Sequence, residues 1–330
     1  MSRASLSLLL GCLVFLGCKE NTKTPLTQKP NFIFLFADDF TYSAIHALGN
    51  EEIKTPNLDR MVQAGTTFTH AYNMGAWNGA VCVASRAMLI SGLSVWEAQE
   101  QYHGWSNGED VKETWPMRMQ SKGYETYMGG KWHLTANTEE IFDHVIHQRP
   151  GGMPSDYWDF QKMRSGFEAL KEGDDPSHLM PLGYNRPKNE NDTLWHAADK
   201  KHGGYWQGGI HWSELLKNDV VSFLDTRTET KPLFMYLAFN APHDPRQAPQ
   251  EYLDMYPLEE ISVPQSWLEE YPNKAGIGNS FTLRDEALGP YPRTEFAIKT
   301  HTKEYYALIS HLDAQIGAIW KKVEETLGTD

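Results

Sequence analysis

Three short predicted strands are each followed by charged or titratable residues, and this pattern constrains the fold more than any other feature. The strands are 31–37, 124–128 and 232–239, and the last two each follow a segment with helical features, 115–122 and 210–227. Residues 31–37 form a continuous apolar run, which is typical of a strand buried on both faces. Because the strands alternate with helices, the sequence predicts an α/β fold with a mostly parallel sheet.

Titratable side chains follow all three predicted strands. Asp38 and Asp39 come after the first strand, Lys131 and His133 after the second, and His243 after the third. Ligands of open parallel sheets bind beyond the carboxyl ends of the strands. We therefore expect these five residues to line one crevice.

The pair Asp38-Asp39 indicates a cation site. Adjacent carboxylates repel each other unless a cation lies between them, and a hard divalent cation takes several oxygen ligands, often from carboxylates. A solvated turn or a helix N-cap is the alternative interpretation. Two ligands are also too few for a site, so other segments would have to contribute.

The first residues have the features of an export signal. In the predicted signal peptide, residues 1–18, Arg3 precedes the apolar run 6–16, which is too short for an ordinary membrane-spanning helix. The run ends in Phe-Leu-Gly-Cys, which resembles a bacterial lipoprotein cleavage box with Cys18 as the lipid-bearing residue; a plain secretory signal is the alternative. Residues 19–30 are polar, contain two prolines and predict a flexible tether. We expect an exported protein, in the periplasm or anchored to the outer membrane through the lipid.

Charge and cysteine content narrow the function further. The chain has 43 acidic and 30 basic residues, a net charge of −13, which excludes the basic face of a nucleic-acid-binding protein. Beyond the signal segment Cys82 is the single cysteine of the chain, so the predicted domain has no internal disulfide. A lone cysteine in an exported protein is either an inert buried residue or a functional one.

The segment around Cys82 decides between these two interpretations. Residues 81–92 read VCVASRAMLISG, which resembles the signature of formylglycine-dependent (type I) sulfatases, Cys-x-Pro/Ala-Ser-Arg followed by a short apolar stretch and Thr/Ser-Gly. Segments 55–72, 130–133 and 241–243 resemble other sulfatase segments in the same order.

The resemblance covers about 31–330 and implies the fold of the alkaline-phosphatase-like superfamily. In that fold a mostly parallel sheet is flanked by helices on both faces and carries long loop insertions. The segments 149–209 and 257–293 are rich in loop-forming residues and match such insertions.

The resemblance also implies a role for each catalytic position. Cys82, oxidised to formylglycine, would supply a gem-diol nucleophile. Arg86 would hold the gem-diol and the sulfate. Lys131 and His133 would contact the aldehyde-derived group and the sulfate oxygens. His243 would assist at the leaving-group oxygen.

The implied metal site consists of Asp38, Asp39 and the modified Cys82, with Ca²⁺ as the expected ion and Mg²⁺ as the less favoured one. Asp244 and Arg246 follow the third strand closely and could recognise a sugar carboxylate or a second sulfate. A surface ion pair explains these two residues equally well.

One part of the family pattern is not found in this sequence. In sulfatases a later strand supplies Asp followed by Asn or His as further metal ligands, and then a Lys. This strand would follow the predicted helix 304–327. We therefore expect the natural chain to continue past Asp330, and the catalytic domain 31–330 to lack the C-terminal part of the family fold.

The sequence thus predicts a sulfuric ester hydrolase that acts on an exported-compartment substrate, in particular a sulfated carbohydrate. A formylglycine-generating or radical maturation enzyme would be its partner. Three alternatives stay open: a phosphate or phosphonate ester hydrolase of the same superfamily, an inactive glycan-binding relative, and a thiol hydrolase that uses Cys82 with a histidine.

Overall fold

A four-stranded parallel sheet organises the fold in the computed structural model, which describes residues 29–77, 81–151, 160–171, 174, 176–273, 276, 288–289 and 293–328. The sheet order is β1-β6-β2-β3, and each neighbouring pair is parallel. A separate antiparallel hairpin pairs β4 with β5. The strands are β1 (Phe32–Asp38), β2 (Glu125–Lys131), β3 (His144–Arg149), β4 (Trp206–Gln207), β5 (Ile210–His211) and β6 (Leu233–Pro242).

Helices pack on the sheet and connect its strands. The α-helices are α1 (Pro56–Ala64), α2 (Val81–Ser91), α3 (Val95–Ser106), α4 (Trp115–Ser121), α5 (Phe160–Ala169), α6 (Trp212–Thr226), α7 (Gln250–Leu253) and α8 (Glu295–Leu327). Short 3-10 turns lie at His46–Leu48, Thr138–Glu140, Pro176–Leu179, Lys200–His202 and Leu258–Glu260.

The central strand β6 is buried along its whole length, and its alternating side chains serve two cores. Leu233, Met235 and Leu237 belong to the apolar cluster that also contains residues of α6 and α8. Phe234 and Tyr236 belong to the cluster with residues of α2 and α3. Because successive side chains of a strand point to opposite faces, helices cover both faces of the sheet, and the predicted α/β architecture is confirmed.

Local capping explains where the structure departs from the predicted helix bounds. α8 begins at Glu295, well before the predicted start at 304, because the Thr294 hydroxyl accepts a hydrogen bond from Ala297 N (3.2 Å). α6 begins at Trp212 because the ring of His211 caps it, with Nδ1 accepting from Ser213 N (3.1 Å). Both caps are side-chain acceptors for otherwise unpaired N–H groups.

Asn31–Asp330 forms one compact unit. The predicted signal peptide, its Cys18 and most of the tether lie outside the described residues. No single helix in the described part of the chain combines the length and apolarity required to cross a membrane. The pair α2 and α3 meets those criteria together, but with a bend of 93° between them.

A buried carboxylate of α8 caps the first turn of α1. Asp313 Oδ1 accepts a hydrogen bond from Leu58 N (2.7 Å), and Oδ2 accepts from Asn57 N (3.2 Å) and Asn57 Nδ2 (2.8 Å). Thr55, at the N-cap position, makes no side-chain cap bond; its hydroxyl donates to Asp59 instead (3.0 Å). A contact between distant segments therefore replaces the usual local cap.

We expect Asp313→Ala to lower the free energy of unfolding by about 2–4 kcal/mol, because buried N–H groups of α1 lose a charged acceptor. Urea denaturation followed by circular dichroism measures this change. The matched control is Glu325→Ala on the same helix, whose carboxylate is exposed beside Lys321 and should change stability by less than about 0.5 kcal/mol. Equal effects of the two substitutions would contradict the capping role.

Candidate active site

Charged side chains from three separate elements meet at the carboxyl ends of β1 and β2. Asp38 ends β1 and is buried. The ammonium group of Lys131, the last residue of β2, donates a short hydrogen bond to Asp38 Oδ2. Arg86 of α2 places Nη2 3.7 Å from Asp38 Oδ1. The structure therefore brings together two of the residues predicted for one crevice, Asp38 and Lys131, with Arg86, whose role the family resemblance implies.

The guanidinium of Arg86 is held in place by its contacts, but part of its hydrogen-bonding capacity is unused. It is 1% exposed, lies 4.7 Å from the centroid of the Phe36 ring, and donates from Nη1 to Lys131 O (2.8 Å) and to Tyr236 Oη (3.3 Å). Its Nε and Nη2 have no hydrogen-bond acceptor among the described residues. Buried charged donors without acceptors are costly, so these two groups are suited to an oxyanion.

Sequence reasoning missed Phe36 and Tyr236 as supports of Arg86. Both lie within apolar strands. Tyr236 belongs to the core cluster on the α2 face of the sheet, and Phe36 packs against that cluster. The period-2 pattern of β1 and β6 could have placed them on one face. Only the tertiary structure shows that Arg86 packs against that face.

Cys82 and His133 form the contact expected of a reactive centre. Cys82 is the second residue of α2, and a spacing of four residues puts it on the same helix face as Arg86. Its Sγ lies 3.2 Å from Nδ1 of His133. His133 has the left-handed φ of 63°, and a Cβ at Gly151 would overlap its ring. A glycine is therefore required beside this histidine.

Burial keeps both partners of this contact neutral near pH 7. Burial raises the pKa of the Cys82 thiol, although Lys131 acts in the opposite direction. Burial, together with the nearby charges of Lys131 and Arg86, lowers the pKa of His133 to about 4. A thiol nucleophile needs a lowered pKa or a base that activates it. Burial therefore disfavours a preformed thiolate–imidazolium pair at this contact.

Asp39 and His243 also belong to the cluster of charged and titratable groups around Asp38. Asp39 has a left-handed φ of 64°, and its carbonyl accepts a hydrogen bond from Tyr305 Oη (2.9 Å). His243 acts electrostatically on both Asp39 and His133, so the crevice includes it. Its Nδ1 lies 2.8 Å from Asp244 O. Because a carbonyl only accepts, Nδ1 carries the proton and Nε2 is free to face a ligand.

The two predicted substrate-binding residues have different surroundings. Asp244 Oδ2 is buried and has no hydrogen-bond partner among the described residues. Arg246 is bound on every guanidinium nitrogen: Nε to Glu304 Oε2 (3.0 Å), Nη1 to Tyr184 O and Nη2 to Arg186 O (both 2.8 Å). Arg246 therefore fastens a loop to α8, and a role in substrate binding stays a prediction.

The predicted cation ligands do not complete a metal site by themselves. Within the described residues, no group of three or more His, Cys, Asp or Glu side chains is arranged to hold a metal ion. Asp38 binds Lys131 and Cys82 faces His133, so Asp39 is the one predicted ligand without such a contact. A divalent cation here would need further oxygen ligands, and Ca²⁺ stays a prediction.

Comparison with known proteins identifies relatives over most of the chain. The sulfatase family model matches residues 30–328. An arylsulfatase of Clostridium perfringens is 28% identical over 303 residues, which are 88% of this chain and 58% of that protein. An N-acetylgalactosamine-6-O-sulfatase of Bacteroides thetaiotaomicron is 32% identical over 288 residues, 73% of this chain and 54% of that protein. The chain thus spans little more than half the length of these relatives.

Solved structures show the same fold. The phosphonate monoester hydrolase of Silicibacter pomeroyi superposes with a TM-score of 0.61 over 91% of this chain and 60% of that one, at 16% identity. A likeness at this identity concerns the fold alone.

The Cys82 thiol should react slowly with iodoacetamide at pH 8, and its rate should rise only above pH 9, because burial raises its pKa. Peptide mapping by mass spectrometry isolates Cys82 from Cys12 and Cys18, with the urea-unfolded chain as the control. A midpoint below that of the unfolded chain would instead indicate a thiolate–imidazolium pair.

Proposed function

The chain belongs to the sulfatase family, and we propose that it hydrolyses a sulfate ester of a carbohydrate. The observation that carries the proposal is the joint position of Cys82, His133, Lys131 and Arg86 at one sheet edge, with two donors of Arg86 unfilled. Both curated relatives described above are named as sulfatases, and one name specifies a sulfated amino sugar. These names support a sulfated sugar as the substrate class.

Arg86 and Lys131 supply the positive charge that a sulfate ester needs. Nε and Nη2 of Arg86 can donate to sulfate oxygens, and Lys131 adds a second cation beside them. Because both cations are buried and held by Asp38 and the backbone, they need little rearrangement when charge develops on the sulfate. Their fixed positions also orient the ester toward residue 82.

We propose that Cys82 is oxidised to formylglycine, whose hydrated aldehyde supplies an oxygen nucleophile. His133 lies within hydrogen-bond reach of residue 82. Its pKa of about 4 keeps the ring neutral at pH 7, so Nδ1 can accept a proton from a hydroxyl at this position.

His243 is suited to the leaving group. The carbonyl of Asp244 holds the proton on Nδ1, so Nε2 is the atom that exchanges a proton with the substrate. A protonated Nε2 would donate to the ester oxygen as the bond to sulfur breaks. His133, whose Nδ1 faces residue 82, would accept the proton of the nucleophile. His243, whose Nδ1 is bound to the Asp244 carbonyl, would donate a proton from Nε2 to the leaving group.

Export and maturation complete the proposal. The sequence features of residues 1–18 support transfer to the periplasm or the outer membrane, with Cys18 as the site of lipid attachment. Oxidation of Cys82 would require a formylglycine-generating or radical maturation enzyme as a partner.

The test is sulfate release by the protein produced together with a maturation enzyme. We expect hydrolysis of 4-nitrophenyl sulfate and of at least one 6-sulfated hexosamine. Cys82→Ala should reduce both rates by more than about 10³-fold, because it removes the nucleophile. Mass spectrometry of the peptide that contains residue 82 verifies the oxidation.

Asn218→Ala serves as the control, because Asn218 is exposed on α6 and should leave both rates unchanged. Full activity of Cys82→Ala would refute the nucleophile. Faster hydrolysis of 4-nitrophenyl phosphate or phenylphosphonate esters would favour the phosphate or phosphonate alternative. Binding of sulfated sugars without release of sulfate by the oxidised protein would favour the glycan-binding alternative.

A further inference from the structure

The backbone carbonyl of Asp244 joins the His243 side chain to a second, buried side chain. It accepts a hydrogen bond from His243 Nδ1 (2.8 Å) and another from Tyr205 Oη (3.0 Å). A carbonyl oxygen has two lone pairs and can accept both bonds. Asp244 Oδ1 lies 3.6 Å from the same ring nitrogen, which is beyond hydrogen-bond distance. The Asp244 carbonyl is thus the acceptor that orients the His243 ring.

Tyr205 is suited to hold this carbonyl in place. It is 2% exposed, and its ring centroid lies 5.6 Å from that of His211 and 5.3 Å from that of Trp212. Burial, together with the carboxylates of Asp244 and Asp38, raises the pKa of Tyr205 well above its ordinary value. The hydroxyl therefore keeps its proton near pH 7 and acts as a donor. The electrostatic effect of Asp38 also indicates that the tyrosine side chain reaches the crevice.

A second set of contacts fastens the backbone beside Tyr205. Gln247 is fully buried; its Oε1 accepts a hydrogen bond from Tyr205 N (2.7 Å), and its Nε2 donates to Gly203 O (2.9 Å). Gly204 has a left-handed φ of 71°, and a Cβ there would overlap the Gln247 amide. Together with the bond from Tyr205 Oη, these contacts join two segments that are distant in the chain.

We propose that Tyr205 is a positioning residue for His243 and acts through the carbonyl of Asp244. The inference rests on the proposed function, in which Nε2 of His243 donates a proton to the leaving group. The bond at Nδ1 fixes the direction in which Nε2 points. A displacement of about 1 Å can cost about 100-fold in rate, so a hydroxyl that holds this acceptor contributes to the reaction without touching the substrate. The predicted loop insertion 149–209, which contains Tyr205, thus supports the active-site histidine.

Other contacts hold the same segment when the tyrosine hydroxyl is removed. Arg246 Nε donates to Glu304 Oε2 of α8 (3.0 Å), two residues beyond the carbonyl that Tyr205 holds. This bond and those of the Gln247 side chain do not involve the hydroxyl. We therefore expect Tyr205→Phe to change the position of the His243 ring and to preserve the fold.

Substrates with different leaving groups test this role. The 4-nitrophenolate ion leaves readily without a proton, whereas the alkoxide of a sugar needs one from an acid. We expect Tyr205→Phe to lower kcat/KM by about 10-fold or more for the 6-sulfated hexosamine and by less than about 3-fold for 4-nitrophenyl sulfate. In a His243→Gln background, Tyr205→Phe should cost nothing further. Equal losses for the two substrates, or a full additional loss in the double variant, would overturn the proposal.

Tyr256→Phe is the matched control. Tyr256 is 2% exposed, and its hydroxyl accepts a hydrogen bond from Lys54 N (2.9 Å) and forms a short one with Ser310 Oγ. The substitution therefore also removes a buried tyrosine hydroxyl, but one whose partners lie outside the crevice. The ratio of the two kcat/KM values should stay as in the wild-type protein.

A measurement without turnover separates this inference from the proposed function. In the Cys82→Ala protein, the Nδ1 proton of His243 gives an imidazole N–H signal in NMR spectra, which His243→Gln removes. We expect Tyr205→Phe to speed the exchange of this proton with water by about 10-fold or more, because its acceptor is held less firmly. Unchanged exchange would overturn the proposal whether or not the protein hydrolyses sulfate esters. Faster exchange without hydrolysis by the oxidised wild-type protein would support the link from Tyr205 to His243 and count against the proposed function alone.

Gln247→Met is the second variant, for the case that Tyr205→Phe does not fold. Methionine has about the volume of glutamine but makes neither of its hydrogen bonds, so it loosens the backbone beside Tyr205 and leaves the tyrosine hydroxyl in place. The Nδ1 proton of His243 should again exchange faster. A folded Gln247→Met protein in which this proton exchanges as in the Cys82→Ala background would contradict the proposal.

Discussion

Asp38 carries its charge at the buried end of β1, and the two cations that compensate it come from elements distant in sequence. Lys131 arrives at the end of β2 and Arg86 from the first turns of α2. A buried carboxylate without such partners would be strongly destabilising, so this ion cluster fixes the position of α2 relative to the sheet edge. The two cations outnumber the carboxylate they bind directly. The unfilled donors of Arg86 therefore favour an additional anion at the position that Cys82 also faces.

The sequence predicts the parts of this arrangement that depend on local pattern. β1 and β6 are nearly continuous apolar runs with polar residues at their ends, which is the local signal of a strand buried on both faces. β2 has a weaker apolar pattern and was predicted from its place after a helix and before Gly-Gly-Lys. β3 was not predicted, because its sequence HVIHQR has only two apolar residues and lies at the edge of the sheet. The spacing of Cys82 and Arg86 predicts that they share a helix face, and α2 contains both residues one turn apart. The role of Arg246 could not be predicted, because its partner Glu304 lies on a helix distant in the chain.

Burial acts on Cys82 and His133 in the same direction, toward their neutral forms. Removal from water disfavours the charged form of each group, so the thiol keeps its proton and the imidazole stays neutral. A preformed thiolate–imidazolium pair would need the opposite environment. The neutral ring of His133 can instead act as a proton acceptor for the side chain at position 82, with which its Nδ1 is in contact.

The left-handed residues show how the sheet edge turns its side chains toward ligands. Asp39 is the first residue after β1, His133 is the second residue after β2, and His147 lies within β3. Each such conformation costs about 1–3 kcal/mol in a non-glycine residue. The surrounding packing must offset that cost, and β6, buried on both faces between β1 and β2, provides it. Packing against the buried central strand β6 thus offsets the cost of the left-handed residues that follow β1 and β2, where the candidate active site lies. His147 adopts the same left-handed conformation one strand further along, within β3.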